Sequence, residues 1–192
     1  EEIQSTKEKL GLDPQQKFGL PEAILDDFRQ SFKYYRQDVS AWKAAVERKN
    51  QNVEFKKSWQ LAFDSNVSPD IEPYQVGDKV ATRKAWGRFL ESYQMQQPFI
   101  VGGSADLEPS NATAGFAKAV GDYSKENTLG RNFAYGVREF PMGTINNGIA
   151  LHGGMKVFGA TFFVFSDYER PALRVRALME IPVVSIYTHD SI

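Results

Sequence analysis

The chain has 192 residues, with 23 Lys and Arg against 24 Asp and Glu for a formal net charge of −1, and it has no cysteine. The balanced charge gives no electrostatic reason to expect binding to nucleic acid or to an anionic membrane, and no apolar run reaches the ~18 residues typical of a membrane span. The lack of cysteine excludes disulfides, thiol catalysis and thiolate metal sites, and it fits a reducing, cytoplasmic location.

Residues 1–70 are polar and have a helical rhythm. A helix can begin at Pro21. Its apolar positions recur at helical spacing: Leu25, Phe28, Phe32 and Tyr35, continued in a second piece by Trp42, Ala45 and Val46. Such stripes are usually packing surfaces. The stretch 65–78, with two prolines and a glycine, indicates a linker or boundary.

The next segment predicts a helix and a short strand. Asp78 is suited to cap a helix. The apolar positions of this helix fall three or four residues apart: Ala81, Ala85, Trp86, Phe89, Leu90 and Tyr93. Residues 99–102 then form a short apolar strand that runs into the polar sequence 103–106.

A second helix is predicted after Glu139. Pro141 is well placed to open it, and Gly153 with Gly154 can end it. His152 would then lie at the helix end, where we expect a capping role. Glu139 lies just before the entrance of this helix.

The remaining residues predict a strand, a helix and another strand. Residues 157–165 form an apolar run rich in β-branched and aromatic side chains, typical of a strand buried on both faces. A helix over 169–179 follows, with Pro171 in its first turn, and then a buried strand over 181–187. Strands that alternate with helices indicate a mostly parallel α/β sheet covered by helices.

In open sheets of this kind, ligands bind beyond the carboxyl ends of the strands. Three predicted strands end in polar or aromatic groups that would share one edge. These groups are Ser104, Asp106 and Ser110, then Phe165 and Tyr168, then Thr188, His189 and Asp190. Loops are polar in any case, so the pattern alone leaves a purely structural interpretation equally open.

Three motifs in order carry a family resemblance: GGSADLEPSN (102–111), YGVREFPMGTINNGIALHGG (135–154) and ATFFVFSDYERPALRVRALMEIPVVSIYTHDSI (160–192). They resemble the pyrimidine-binding domain of transketolase, a thiamine diphosphate enzyme. The resemblance implies that residues 71–192 form this domain, truncated at its C-terminal side. Residues 1–70 would be the helical linker that follows an absent diphosphate-binding domain.

The resemblance also implies an activity for the parent protein. Transketolases transfer two-carbon ketol units between ketose and aldose sugar phosphates in the pentose phosphate pathway, as cytoplasmic homodimers. The cofactors would be thiamine diphosphate and Mg²⁺ or Ca²⁺, with the metal ligands in the absent domain. We therefore expect the isolated chain to be inactive.

Matched to the family motifs, Glu139 is the catalytic carboxyl group that hydrogen-bonds the pyrimidine ring nitrogen. The aromatic residues expected around that ring are Phe162, Phe165 and Tyr168, with Phe165 in direct contact. The residues expected to bind the sugar phosphate are Arg83, Ser110 and His189. Asp106 resembles a residue near the cofactor and the subunit boundary, without a defined role.

Each of these residues also has an ordinary structural interpretation. A glutamate at a helix entrance commonly interacts with backbone amides, aromatic residues after a strand are commonly core, and a lone arginine on a helix is commonly a surface charge. Pro141 departs from the family pattern, where a smaller or more flexible residue is expected.

Two alternatives remain open from the sequence. Other thiamine diphosphate enzymes, such as deoxyxylulose phosphate synthase or 2-oxo acid decarboxylases, share the glutamate and the fold, although GGSADLEPSN with THDSI favours transketolase. The chain could instead be a non-catalytic, partner-binding module that retains a transketolase-like surface.

Overall fold

A computed structural model describes residues 1–63 and 68–190. It divides into two compact units, Glu1–Lys56 and Lys57–Ile192. The first three residues of the predicted linker 65–78 lie outside the described residues. The predicted boundary between residues 70 and 71 stays a prediction.

The first unit is helical. Helix α1 spans Glu2–Lys9 and helix α2 spans Glu22–Lys49, and neither contains a buried residue. The predicted start of α2 at Pro21 is confirmed, because Pro21 directly precedes its first residue. The prediction of two helical pieces is wrong, since no proline or glycine interrupts the 28 residues of α2.

The apolar stripe of α2 remains largely open. Phe28, Phe32 and Tyr35 are 61%, 55% and 64% exposed. The packing role predicted for this stripe is therefore not fulfilled within the described part of the chain. Helix α3 follows at Val53–Phe63.

The second unit contains a three-stranded sheet. Its elements after α3 are α4 (Thr82–Gln96), β1 (Ile100–Ser104), α5 (Ala114–Val120), α6 (Glu139–His152), β2 (Lys156–Phe162), α7 (Ser166–Leu178) and β3 (Val183–Thr188). The strands run parallel in the order β1-β2-β3, with Gly102 beside Phe158 and Phe158 beside Val184. The predicted parallel α/β class is confirmed.

Helices cover both faces of this sheet. On one face, α4, α5 and the sheet enclose a core of buried side chains: Leu90, Ile100, Phe116 and Phe158. On the other face lies α6, because a Cβ added to Gly159 of β2 would lie 2.7 Å from Asn146 Nδ2 and 3.1 Å from Met142 Sδ. The Asn146 amide also donates to the carbonyl oxygen of Phe158 at 3.3 Å.

Strand β1 needs its paired glycines. A Cβ on Gly102 would lie 2.1 Å from the Phe158 carbonyl oxygen, and one on Gly103 would lie 2.2 Å from that of Phe133. Gly102 also has a φ of +150°, which L side chains rarely adopt. The sequence GGS therefore brings the backbone of β1 close to its neighbours where the strand ends.

The predicted cap of α4 is wrong. The helix begins at Thr82, after Ala81, rather than after Asp78. The Asp78 carboxylate instead accepts a hydrogen bond from the backbone N–H of Gln75 at 2.9 Å. Aspartate side chains often bond to nearby backbone groups in turns, and this local bond competes with capping.

The end of β2 also differs from its prediction. The strand stops at Phe162, and Phe163–Phe165 form a 3-10 turn that leads into α7. The backbone N–H of Val164 donates to the Asp190 carboxylate at 2.8 Å, so a distant residue rather than a strand neighbour holds this turn. Helix α7 accordingly begins at Ser166, and Pro171 is inside the helix rather than in its first turn.

No helix in the described part of the chain combines the length and the apolar character that a membrane crossing requires.

Candidate functional site

The carboxyl ends of the three parallel strands lie at one edge of the sheet, as the topology requires. Two hydrogen bonds join the segments that follow them. The Asn111 amide, after β1, donates to the Thr188 hydroxyl at the end of β3 at 2.7 Å. Asp190, after β3, accepts from Val164, after β2. This edge is thus a connected surface rather than three independent loops.

Arg83 and His189 meet at this edge, although 106 positions separate them in the sequence. The Nη1 atom of Arg83 lies 3.0 Å from Nε2 and 3.3 Å from Nδ1 of His189. No carboxylate among the described residues forms an ion pair with Arg83. A guanidinium group beside an imidazole, without a neutralising carboxylate, is an arrangement suited to an anion.

An aromatic run extends from His189. Its ring lies 5.6 Å from that of Phe162 between centroids, Phe162 lies 5.9 Å from Phe165, and Phe165 lies 6.0 Å from Tyr168. Phe162 and Phe165 are half-buried, whereas Tyr168 is 65% exposed. The sequence pattern predicted that these aromatic residues lie at the end of a strand, but only Phe162 lies at the end of β2. The 3-10 turn and the first turn of α7 carry the other two.

A cleft of about 610 Å³ opens beside Arg83 and His189. Its wall comes from the start of α4 and from β3 with the residue that follows it. The lining residues are Ala81, Thr82, Arg83, Trp86, Ser185, Ile186, Tyr187, Thr188 and His189. The cleft therefore has space next to the two cationic or polar groups that the sequence assigned to phosphate.

Glu139 is the first residue of α6 rather than the residue before it, and it is only 6% exposed. The described residues provide no hydrogen bond or ion pair to its carboxylate. The carboxylate oxygens of Glu139 are not fully enclosed, so they still reach solvent. A carboxylate in the first turn is favoured by the helix dipole, and this one keeps its acceptor positions available.

The polar residues at the end of β1 and in the loop after it divide into buried and open groups. The Ser104 hydroxyl is buried and lies 2.7 Å from the Thr113 hydroxyl, so it is not an open ligand group. Asp106 is exposed and has a φ of +60°, a conformation that is uncommon outside glycine. Ser110 is half-buried and directly precedes Asn111, whose amide reaches Thr188.

The remaining histidine, His152, is the last residue of α6, and its Nδ1 lies 3.2 Å from the Gly153 carbonyl oxygen. This position matches the predicted helix end. Within residues 1–63 and 68–190, no group of three or more His, Cys, Asp and Glu side chains is arranged to hold a metal ion.

Sequence reasoning missed two residues that connect this region. Asn111 is fully buried and joins the β1 loop to β3, and only its place in the first motif marked it. Glu169 is 1% exposed and pairs with Arg176. Their spacing of seven residues places both on one face of α7. Two opposite charges on the helix face that also carries Ala172 were the sequence signal that could have predicted this buried pair.

A parallel sheet, covered by helices and with polar and aromatic groups at its carboxyl edge, defines a ligand-binding α/β domain. The family model described as "Transketolase, pyrimidine binding domain" matches residues 78–192. The chain belongs to this family. The resemblance stated from the three motifs is thereby confirmed.

Curated relatives agree with this assignment. The transketolases of Halalkalibacterium halodurans and Bacillus subtilis are each 40% identical to the chain, over 197 and 198 residues. These alignments cover 100% of this chain but 29% of each relative. The chain thus spans about 29% of the length of these relatives.

Solved structures are similar as well. A Pichia stipitis transketolase variant, described as a complex with xylulose 5-phosphate, matches with a TM-score of 0.84 at 34% identity, covering 98% of this chain and 29% of that one. A transketolase from Campylobacter jejuni matches with a TM-score of 0.78 at 33% identity, covering 98% and 28%. These likenesses favour transketolase over the alternative thiamine diphosphate enzymes and the non-catalytic module.

Proposed function

We propose that the chain supplies the pyrimidine-binding half of a transketolase site. The parent protein would transfer two-carbon ketol units between ketose and aldose sugar phosphates in the pentose phosphate pathway, as a cytoplasmic homodimer. The observation that carries the proposal is the meeting of Arg83, His189 and the Phe162 ring at the carboxyl edge of a transketolase-family sheet.

The cofactor of the family is thiamine diphosphate, and the described residues fit its pyrimidine end. When bound, thiamine diphosphate supplies a thiazolium carbon that can act as a nucleophile once it loses a proton. Phe162 and Phe165 are half-buried and Tyr168 is exposed, so aromatic surface remains accessible, and aromatic side chains are suited to pack against a flat heterocycle. The Mg²⁺ or Ca²⁺ ion would be held by residues outside this chain.

Glu139 is the candidate catalytic residue. Its carboxylate has no partner among the described residues and reaches solvent from an otherwise buried position. A carboxyl group in this state can share a proton with a ring nitrogen and so stabilise one tautomer of the ring. Its place in the first turn of α6 gives it a fixed backbone position.

Arg83, Ser110 and His189 are the candidate groups for the substrate phosphate. The Arg83 guanidinium carries a permanent charge and two N–H groups that can bind a phosphate side by side. The His189 imidazole lies within hydrogen-bond distance of that guanidinium, so both can contact one anion. Two crystal structures of Pichia stipitis transketolase are described as complexes with the sugar phosphates xylulose 5-phosphate and sedoheptulose 7-phosphate.

Calorimetry of the chain with thiamine diphosphate and Mg²⁺, compared with Glu139→Gln, tests the cofactor half of the proposal. The expected result is saturable heat for the parent chain and its loss in Glu139→Gln, which keeps the shape of the side chain but removes its charge. The exposed Glu126→Gln is the matched control and should bind like the parent chain. Equal binding by Glu139→Gln would contradict the role given to Glu139.

Ketol transfer is measured in a second step. We expect no turnover by the chain alone, and turnover after addition of a separately produced diphosphate-binding domain from a relative. Silence in calorimetry together with no restored transfer would overturn the proposed function. Turnover by the isolated chain would overturn the expectation that it is inactive.

A further inference from the structure

A buried polar network lies between α6, α7 and β3. Its centre is the Glu169 carboxylate, 1% exposed, which lies 3.2 Å from Nη2 of Arg176. The Tyr187 hydroxyl of β3 donates to the other carboxylate oxygen at 2.8 Å. The Arg176 guanidinium also donates to the Ser185 hydroxyl and, through Nε, to the Asn147 amide oxygen at 2.8 Å.

This network touches three elements that carry or directly precede candidate site groups: α6, α7 and β3. Glu169 lies one residue after Tyr168, at the start of α7. Tyr187 lies two residues before His189 on β3. On α6, a Cβ added to Gly143 would lie 2.8 Å from the Glu169 Oε1 atom, so the carboxylate packs directly against that helix. Gly143 is one helical turn, about 6 Å along the axis, after Glu139.

A contribution to the stability of the fold does not by itself explain why this site contains a buried ion pair. The desolvation of two buried charges often outweighs their attraction, and apolar side chains of similar volume can replace a buried ion pair without loss of stability. An apolar pair cannot reproduce the directional hydrogen bonds that these two side chains form with neighbouring elements. The Glu169 carboxylate has two oxygens that accept from two different elements, and the Arg176 guanidinium donates to two more groups.

We propose that Glu169, together with Arg176, is a positioning residue that fixes the placement of α6, with Glu139, relative to the end of β3, with His189. The two halves of the candidate site lie on separate elements, and the Glu169–Arg176 pair contacts both of them. Arg176 donates to Asn147 on α6 and to Ser185 on β3. Glu169 packs against α6 and accepts from Tyr187 on β3. The inference rests on the proposed function in taking Glu139 and His189 as site groups.

Burial agrees with a fixed, neutral tyrosine in this network. Burial, and then the neighbouring Glu169 carboxylate, raise the pKa of Tyr187 above its usual range. The hydroxyl therefore remains a hydrogen-bond donor to Glu169 at neutral and moderately alkaline pH.

The test is an apolar replacement of the pair, Glu169→Leu with Arg176→Met, read by urea unfolding and by NMR of the imidazole groups. The chain has two histidines, so His189 reports on the site edge while His152, at the far end of α6, serves as the internal reference. We expect an unfolding midpoint equal to or above that of the parent chain. We also expect shifted His189 ring signals and loss of the ring contact with Phe162.

Arg170→Met is the matched control. Arg170 is on the same helix, and its ion pair with Asp167 is exposed, with the two side chains 74% and 65% accessible. The His189 signals should move more in the double variant than in this control. A double variant that is stable and whose His189 signals match the control would overturn the proposal.

Tyr187→Phe covers the case in which the double variant unfolds. It removes one hydroxyl from the network and leaves both charges in place. A folded Tyr187→Phe chain with shifted His189 signals supports positioning, whereas unchanged signals, or unfolding of both variants, overturn it. These measurements need no cofactor, so their failure is distinct from a failure to bind thiamine diphosphate.

Discussion

Two clusters of polar side chains in the second unit each contain an arginine, but one cluster is buried and the other is open. In the buried cluster, Glu169 and Arg176 are enclosed and each has several hydrogen-bond partners. In the open cluster, Arg83 is half-buried, His189 is exposed, and Arg83 has no carboxylate partner among the described residues. An arginine is central to both.

The difference shows how to separate structural from ligand-binding charges. A buried charge must be paired and hydrogen-bonded, because an unpartnered one would carry a large desolvation cost. A charge at the surface needs no protein partner because water solvates it. A surface charge that lies in a cleft and has hydrogen-bond donors without a partner can therefore bind a ligand. The following tests should therefore show stability effects in the buried cluster and binding effects in the open one.

The largest effect is expected from Arg176→Met alone. This change leaves the Glu169 carboxylate buried without its cation, and we expect the free energy of unfolding to fall by about 3–5 kcal/mol. Urea unfolding at pH 7 measures it. The exposed Arg170→Met should change the same quantity by no more than about 1 kcal/mol, and equal losses in both variants would erase the distinction between buried and open charges.

Gly143→Ala is expected to have the next largest effect. The new methyl group would lie 2.7 Å from the Ala172 Cβ and 2.8 Å from the Glu169 carboxylate, so α6 and α7 must separate. We expect a loss of about 1–3 kcal/mol in unfolding free energy. Gly148→Ala on the same helix meets no atom within 4 Å and should instead gain about 0.4–1 kcal/mol. A gain in both variants would show that the α6–α7 contact is looser than described.

The dependence of stability on alkaline pH provides a further test of a buried polar group. The group is Tyr135, whose hydroxyl donates to Asn146. Burial is the main cause that raises its pKa above the usual value of 10, with a smaller contribution from Glu169. The unfolded chain therefore releases this proton first. The stability contribution is complete below about pH 10 and is lost as the pH rises toward the native pKa.

For this single group, the unfolding free energy should fall by about 1.4 kcal/mol per pH unit above pH 10. Tyr135→Phe should remove that part of the slope, measured by urea unfolding between pH 9 and about pH 11. Parallel curves for the two chains would contradict the direction of the shift.

The smallest effect on stability is expected in the open cluster. Arg83→Met removes a partly exposed charge, and the unfolding free energy should stay within about 0.5 kcal/mol of the parent chain. Inorganic phosphate should nevertheless shift the His189 ring signals in the parent chain and not in this variant. Arg174→Met, an exposed change of the same charge on α7, should retain the response. A phosphate response that survives Arg83→Met would remove Arg83 from the candidate site.

The local pattern predicted most of the helices and strands of the second unit, because the apolar periodicities of helices and strands can be read from neighbouring residues. It failed where a side-chain hydrogen bond, near or distant in the sequence, competes with the preference of the apolar pattern. The turn at Phe163–Phe165 depends on Asp190, and the start of α4 depends on a side-chain bond within the preceding turn. Neither competitor is visible in the apolar pattern of the segment itself.

The candidate site, like the fold, was predicted from the sequence only in part. Three ordered motifs identified the family and contain Glu139, the aromatics, Ser110 and His189. The family resemblance added Arg83, and the functional roles of all these residues stay predictions. Sequence alone determined the parallel α/β class, because it depends on the alternation of element types along the chain. Only the tertiary structure decided that Arg83 meets His189 across 106 positions, and that Glu169 is enclosed while Tyr168 beside it is open. Burial and long-range contacts depend on the order of the strands and on which helices cover them, and no local stretch of sequence specifies that order.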